Sequence, residues 1–335
     1  MKKYVNLFVF VFMIGACLSQ GRAQTKSAVS YKNPVVDIAM PDPTVIKAAD
    51  GYFYVYATES TRNVPIMKSK DLVEWTYCNT AFTNKTRPRF DPKAGIWAPD
   101  INYINGKYVL YYAMSVWGGE QTCGIGVATA NSPQGPFTDH GKMFRSNEIG
   151  VQNSIDPSLL QYEGRNYLVW GSFRGIYVIE LTTDGLSIMP GAKKKRIAGT
   201  AFEAVYIHKH DDYYYMFASI GSCCQGVKST YKVVVGRSKK VWGPYKDKTG
   251  KPMLKNGYSL VIGANDHFVG NGHGSQIIRD DAGQDWLLYH GFSRSTPENG
   301  RILLLDQIKW NQEGWPYVEG GSPSYETQKA PVFNN

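Results

Sequence analysis

One pattern recurs five times in this 335-residue chain and constrains its fold more than any other feature. A short apolar run leads into a turn rich in Asp, Asn and Gly, and a strongly aromatic run follows. The copies read DPTVIKAADGYFYVYAT from Asp42, PDINYINGKYVLYYAMS from Pro99, DPSLLQYEGRNYLVWGS from Asp156, EAVYIHKHDDYYYMFAS from Glu203 and GSQIIRDDAGQDWLLYHGF from Gly274. Each is a strand, a tight turn and a second strand. Third strands follow, such as GIGVATA at 124–130 and YKVVVGRS at 231–238. Outer-edge segments are expected at 71–77, 132–141 and 239–248. Helix-period patterning is almost absent. Four-stranded units repeated five times predict an all-β chain, a five-bladed β-propeller with a funnel on its central axis. The competing fold is a large β-sandwich, which would leave the regular recurrence to accident. The five units use up the chain between Pro34 and Tyr317, so residues 24–335 are expected to form a single domain.

The first 23 residues read as a secretory signal peptide. Lys2 and Lys3 precede an apolar run from Leu7 to Leu18, and Gly21-Arg22-Ala23 offers small residues for cleavage before Gln24. A second reading takes Ile14-Gly15-Ala16-Cys17 as a lipid-acceptor box. Either way the protein is expected to be exported: periplasmic, extracellular or at the cell surface. No later run is apolar and long enough to span a membrane.

The formal charge is +9, and three of those charges lie in the leader. The one dense cluster, Lys193-Lys194-Lys195-Arg196, follows Pro190-Gly191 and reads as a solvated loop face. The other reading is attraction for an acidic polymer such as pectin, or for a membrane surface. There is no nucleic-acid motif and no sign of an oligomer, so a monomer is expected. Cys78, Cys123, Cys223 and Cys224 remain after cleavage, and their spacing does not select a pairing or suggest zinc. Adjacent Cys223 and Cys224 are read either as a vicinal disulfide or as two thiols.

In a propeller the innermost strands surround one axis. The starts of these strands carry Asp42, Asp100, Asp156 and Glu203, with His273-Gly274-Ser275 in the fifth unit. Gathering carboxylates costs stability through repulsion, which points to a task. Glycoside hydrolysis uses such a group: one acid protonates the leaving oxygen and another carboxylate activates water or attacks. Glu203, between Phe202 and Ala204, is the candidate proton donor, Asp42 the candidate base and Asp156 the candidate modulator of the donor's pKa. The competing account is that Asp-Pro merely shapes a turn. Asp100 is read mainly as structural.

Most aromatic residues, such as Tyr108, Tyr111 and Trp286, fall on second strands and are assigned to packing between blades. Trp97 precedes a first strand and is a candidate sugar platform. Phe173 and Tyr206 are weaker candidates, and Trp117 lies on a loop that could flank a groove. Asn153 and Ser154 are candidate donors to sugar hydroxyls, or to backbone alone.

At these residues the chain resembles glycoside hydrolase family 43, the propeller enzymes that cleave arabinan and xylan. The resemblance rests on PDPTV at 41–45, WAPDI at 97–101, NGKYVLYY at 105–112, NSIDPS at 153–158 and FEAVYIHK at 202–209. It continues through CCQGVKSTYKVVVGRSKKVWGPY at 223–245, GNGHGSQI at 270–277 and NQEGWPYVEG at 311–320, and is strongest toward the endo-1,5-α-L-arabinanases.

The resemblance implies an inverting mechanism with Asp42 as base, Glu203 as acid and Asp156 as modulator. It also implies a cation, typically calcium, near His273 on the axis. Residues alone give little support for that ion, since one His is a poor signature for a cation that prefers oxygen. Three motifs depart from the arabinanase pattern: EAVY lacks Pro before Tyr, Pro41 replaces a common His, and GHGS replaces GHNS.

Endo action on linear arabinan is the leading expectation. The alternatives are an exo-acting α-L-arabinofuranosidase, a β-xylosidase or a xylanase on the same scaffold. A non-catalytic lectin would be expected to repeat its site in each blade, and the axial residues here are unequal.

Overall fold

The computed structural model describes Met1 and residues 29–334. The signal peptide and the Cys17 lipid box lie outside the described residues.

Five antiparallel sheets radiate from one axis. Blade 1 runs Thr44–Lys47, Phe53–Tyr56, Pro65–Ser69 and Thr76–Thr80 from axis to rim. Blade 2 runs Gly95–Ile104, Lys107–Ser115, Gly124–Ala130 and Thr138–Arg145. Blade 3 has Ser158–Tyr162, Arg165–Trp170, Ile176–Glu180 and Lys195–Ala198. Blade 4 has Glu203–His210, Tyr213–Ile220, Lys232–Ser238 and Ser259–Ile262. In blade 5 the inner edge is split into Phe268–Gly272 and Ile278–Arg279, both pairing with Asp285–Ser293, and Ile302–Trp310 and Pro316–Tyr317 follow.

Alternation along the second strands builds the core. Successive side chains point to opposite faces of a blade. Phe53 and Val55 therefore pack with Trp286, Leu288, Leu303 and Leu305 of blade 5, while Tyr54 and Tyr56 pack with Ile96, Leu110 and Tyr112 of blade 2. Tyr111, on the other face of blade 2, meets Leu168 and Trp170 of blade 3. Val169 meets Met216 and Val234 of blade 4, and Tyr215 and Phe217 meet Leu287 and Tyr289 of blade 5. Each second strand is thus apolar on both faces. This explains why these strands are continuous hydrophobic runs, whereas a rim strand such as Thr138–Arg145 alternates exposed and covered positions.

The ring closes without exchanging a whole strand. Val36 bridges to Leu303 of blade 5, and Asn33 donates to and accepts from the backbone of Leu305. Ser30–Tyr31 pairs with Gln328–Lys329 near the other end of the described chain.

Two expectations about the rim are corrected. The segment 239–248 is not the outer strand of blade 4, a place taken by Ser259–Ile262. Its strand pairing with the blade is limited to an isolated bridge, Arg237 to Lys246, while Tyr245 packs into the blade's core. Lys195 and Arg196 are not in a loop, because they open the outer strand of blade 3, where exposed cations discourage edge-to-edge pairing. Cys223 and Cys224 form a vicinal disulfide, while Cys78 and Cys123 are free thiols.

Candidate active site

One backbone device recurs at the axis. Asp42, Ala98, Asp156, Ala204 and His273 all adopt left-handed conformations, with φ of 54°, 41°, 55°, 53° and 48°. Non-glycine residues rarely sit there, so five at matching blade positions define the true repeat. The structure therefore shifts the register read from the acids. Glu203 stands one residue before its blade's kink, and Asp100 stands two after.

That shift separates Asp100 from the other carboxylates. Its Oδ2 accepts from the Leu159 backbone N–H and Asn102 Nδ2, both at 2.7 Å, and its Oδ1 from Gln276 Nε2 at 2.7 Å. Asp100 thus ties blade 2 to blades 3 and 5 and is structural.

Asp42, Asp156 and Glu203 are brought together, each less than a tenth exposed. Asp42 is gripped from blade 5. Arg301 Nη1 donates to its Oδ1 at 2.7 Å, and His273 Nδ1 lies 3.2 Å from the same oxygen. Thr58 donates to Oδ2 at 2.6 Å. Burial alone would raise its pKa, but the Arg301 guanidinium, His273 and the hydrogen bonds outweigh burial and hold it well below the usual carboxylate range.

The Asp42 backbone N–H donates to His290 Nδ1 at 3.0 Å. That nitrogen is therefore unprotonated, and its 3.3 Å approach to Asp42 Oδ1 is not an ion pair. Burial, ahead of Arg301, lowers the His290 pKa to about 4, in keeping with a neutral ring.

Glu203 and Asp156 are set the opposite way. Burial raises Glu203, assisted by the charge of Asp42, against hydrogen bonds from Ser172 and Tyr231. Ser172 Oγ donates to Glu203 Oε2 at 2.6 Å. Burial, then the charge of Glu203, raises Asp156, whose Oδ2 accepts the Ala204 N–H at 3.2 Å. Two buried carboxyls facing each other cannot both ionise cheaply, so the pair retains a proton. Tyr231 reaches Glu203 because its ring lies flat on Gly272, where a Cβ would stand only 2.2 Å from a ring carbon.

Asn153 donates to Ser172 Oγ at 2.9 Å and so braces the group that orients Glu203. Trp97 is half-buried beside Ala113, Cys123 and Ile155, and its ring meets Trp117 at 5.4 Å. Trp117 is 78 % exposed on the loop that follows. Phe173, half-buried, follows Ser172, and its N–H donates to Phe202 O at 2.9 Å.

Two candidates are corrected. Ser154 is fully buried, donates to Val151 O and accepts from Trp170 Nε1, so no hydroxyl remains for a sugar. Tyr206 lies farther along the axis with Asp100 and Gln276, lining a cavity of about 20 Å³ that has room for a water but not a sugar ring.

His273 borders the same cavity, but the protein donors there do not make a calcium cage. Both Asp100 oxygens are taken, and His273 is turned to Asp42, whose charge outweighs burial and raises the pKa of the ring. Calcium takes six to eight oxygen ligands, a set these residues do not supply.

Arg301, His290, Tyr231, Thr58 and Ser172 are site residues that the sequence reading missed. For the last two a signal was present. Four of the repeats end in a small hydroxyl residue: Thr58, Ser115, Ser172 and Ser219. Thr58 and Ser219 accept the backbone N–H of Ala98 and His273, the kinked residues of the next blade, at 2.7 and 2.9 Å.

A five-bladed propeller with one buried, unequal carboxylate triad at its axis defines a glycosidase-like class. Comparison with known proteins makes this specific. Residues 31–316 match the model of "Glycosyl hydrolases family 43", and the chain belongs to that family and is a glycoside hydrolase. It is 37 % identical to an extracellular endo-α-(1→5)-L-arabinanase of Bacillus subtilis, over 82 % of this chain and 86 % of the relative. It is 36 % identical to an extracellular exo-α-(1→5)-L-arabinofuranosidase of Cellvibrio japonicus, over 83 % and 86 %. Among solved structures, the α-L-arabinanase of Cellvibrio cellulosa complexed with arabinohexaose superposes with a TM-score of 0.77 at 33 % identity, covering 86 % of this chain and 98 % of that one.

Proposed function

We propose that this chain is an exported, inverting endo-hydrolase of α-1,5-linked L-arabinan. The observation that carries the mechanism is the opposite electrostatic setting of Asp42 and Glu203. Asp42 is held ionised by Arg301 and His273, as a base must be. Glu203 shares a buried site with Asp156 that favours the proton, as an acid requires.

In this reading a water gives its proton to Asp42 as its oxygen attacks the anomeric carbon. Glu203 gives its proton to the departing glycosidic oxygen. Asp156 keeps Glu203 protonated until that moment, and Ser172 and Tyr231 fix the direction of transfer. Export is supported by the extracellular relatives and by the leader sequence.

Arabinan is supported by the relatives and by the arabinohexaose complex of the neighbour. Endo action is supported by the Trp97–Trp117 pair, which extends an aromatic surface outward from the carboxylates to an exposed loop. Sugar units beyond the cleavage point can stack there. Product analysis on debranched arabinan, beside xylan and aryl glycosides, tests the reading. Early oligomers that vanish in Glu203→Ala support it. Release of arabinose alone would move the assignment to exo action, and binding without turnover would return Glu203 to a structural role.

A further inference from the structure

The strand that begins with Glu203 ends, seven residues later, in a second cluster that the chemistry above does not use. At roughly 3.4 Å per residue this lies about 24 Å from the carboxylates. Tyr206, His208 and His210 share one face of the strand and point toward blade 5, while Val205 and Ile207 point toward blade 3. His208 and His210 thereby meet Asp285, the first residue of the second strand of blade 5.

We propose that His208, His210 and Asp285 form a binding site for a divalent transition cation of the zinc type, joining blades 4 and 5. Ligand atoms of the three residues lie within 4.8 Å of one another. His208 Nε2 is buried and has no hydrogen-bond partner among the described residues. A buried ring nitrogen without a partner is costly unless something engages it. Two imidazoles and one carboxylate are a donor set suited to zinc and its neighbours rather than to calcium.

The supports that orient metal ligands are also in place. Trp310 stacks on His210 with centroids 3.7 Å apart and planes within 6°, and its Nε1 donates to Asp285 Oδ2 at 2.8 Å.

Arg279 is the competitor. It holds Asp285 through two bonds of 2.8 and 2.9 Å, and its Nη2 lies 3.4 Å from His210 Nδ1. Its side chain is 56 % exposed while that of Asp285 is 2 % exposed. Arg279 can therefore swing into water, and the incoming cation replaces it as counter-ion of the buried carboxylate. Ligand atoms on tetrahedral zinc stand roughly 3.4 Å apart, so the cluster must also tighten, by up to about 1.4 Å.

The test is calorimetric titration of chelator-treated protein with zinc chloride, paired with thermal unfolding with and without zinc. The expected result is one zinc site in the wild type that His208→Ala/His210→Ala loses, together with a zinc-dependent rise in Tm confined to the wild type. Arg279→Ala is expected to bind zinc about tenfold more tightly, because the competitor is gone. His208→Gln serves as a gentler variant should the double substitution not fold. Absence of zinc binding by the wild type, or equal binding and an equal Tm rise in the His variants, would overturn the proposal.

Discussion

Arg301 Nη1 lies 2.7 Å from Asp42 Oδ1, and the two residues stand 259 positions apart in the chain. This contact fixes the charge of the proposed base. Replacing Arg301 by Ala leaves a buried carboxylate with weaker compensation, so the Asp42 pKa rises. The acid limb of the kcat/KM profile is expected to move to higher pH, with a loss of about 100-fold at pH 6. Arg301→Lys should restore part of both. A pH–rate profile of the two variants checks this, and an unmoved acid limb would contradict the role given to Arg301.

Asp156→Asn removes a carboxyl whose pKa is raised in the folded state, by burial first and then by Glu203. Such a group binds more protons folded than unfolded. Its contribution is therefore most favourable at low pH, and stability falls as pH rises from about 4, the unfolded value, through the raised folded value. Thermal unfolding of the variant should show a shallower decline between pH 5 and pH 8, with a Tm at pH 8 higher by about 2 °C or more relative to wild type. The alkaline limb of activity should fall to lower pH, since Glu203 loses the neighbour that holds its proton.

Ser172→Ala acts on the same acid with the opposite sign. The hydroxyl bond favours ionised Glu203, so its loss raises the Glu203 pKa further. The alkaline limb should move up in pH while kcat falls about tenfold, because the carboxyl is no longer aimed. An unchanged kcat would show that Tyr231 alone orients Glu203.

Asp100 accepts hydrogen bonds within blade 2 and from blades 3 and 5. Asp100→Ala leaves those buried donors unpaired and is expected to cost about 2–4 kcal/mol of stability. Denaturant unfolding measures this. Activity per folded molecule should fall far less than in Glu203→Ala.

Trp117→Ala is expected to raise KM for long arabinan about tenfold and to leave small aryl arabinosides unaffected, since a platform far from the cleaved bond serves only longer chains. Equal effects on both substrates would place Trp117 at the cleavage point instead.

Much of this molecule is legible in its sequence, and the errors have physical causes. The strand-turn-strand repeat reveals five blades because each second strand must be apolar on both faces. The register at the axis is not legible in that way. Matching acid to acid aligns Asp100 and Glu203 with Asp42, whereas the backbone kink aligns Ala98 and Ala204, and Ala carries no mark of a left-handed conformation. Asn153 and Ser154 read alike as polar neighbours, yet the kink at Asn153, with φ 56°, sends one toward Ser172 and the other into the interior. Arg301 escapes notice because its partner, Asp42, lies 259 positions away and is brought to it only by closure of the ring.

That closure has a consequence for how the enzyme comes into being. Asp42 enters blade 1 six residues after Val36 bridges to Leu303, and Arg301 lies on the opposite side of that bridge. His273 and His290 also reach Asp42 across the joint. The electrostatic setting of the proposed base is thus assembled only where the first blade meets the fifth. A chain that has formed all its sheets but not met its own beginning would hold an acid without a tuned base. The joint that closes the ring is thus also the joint that tunes the proposed base.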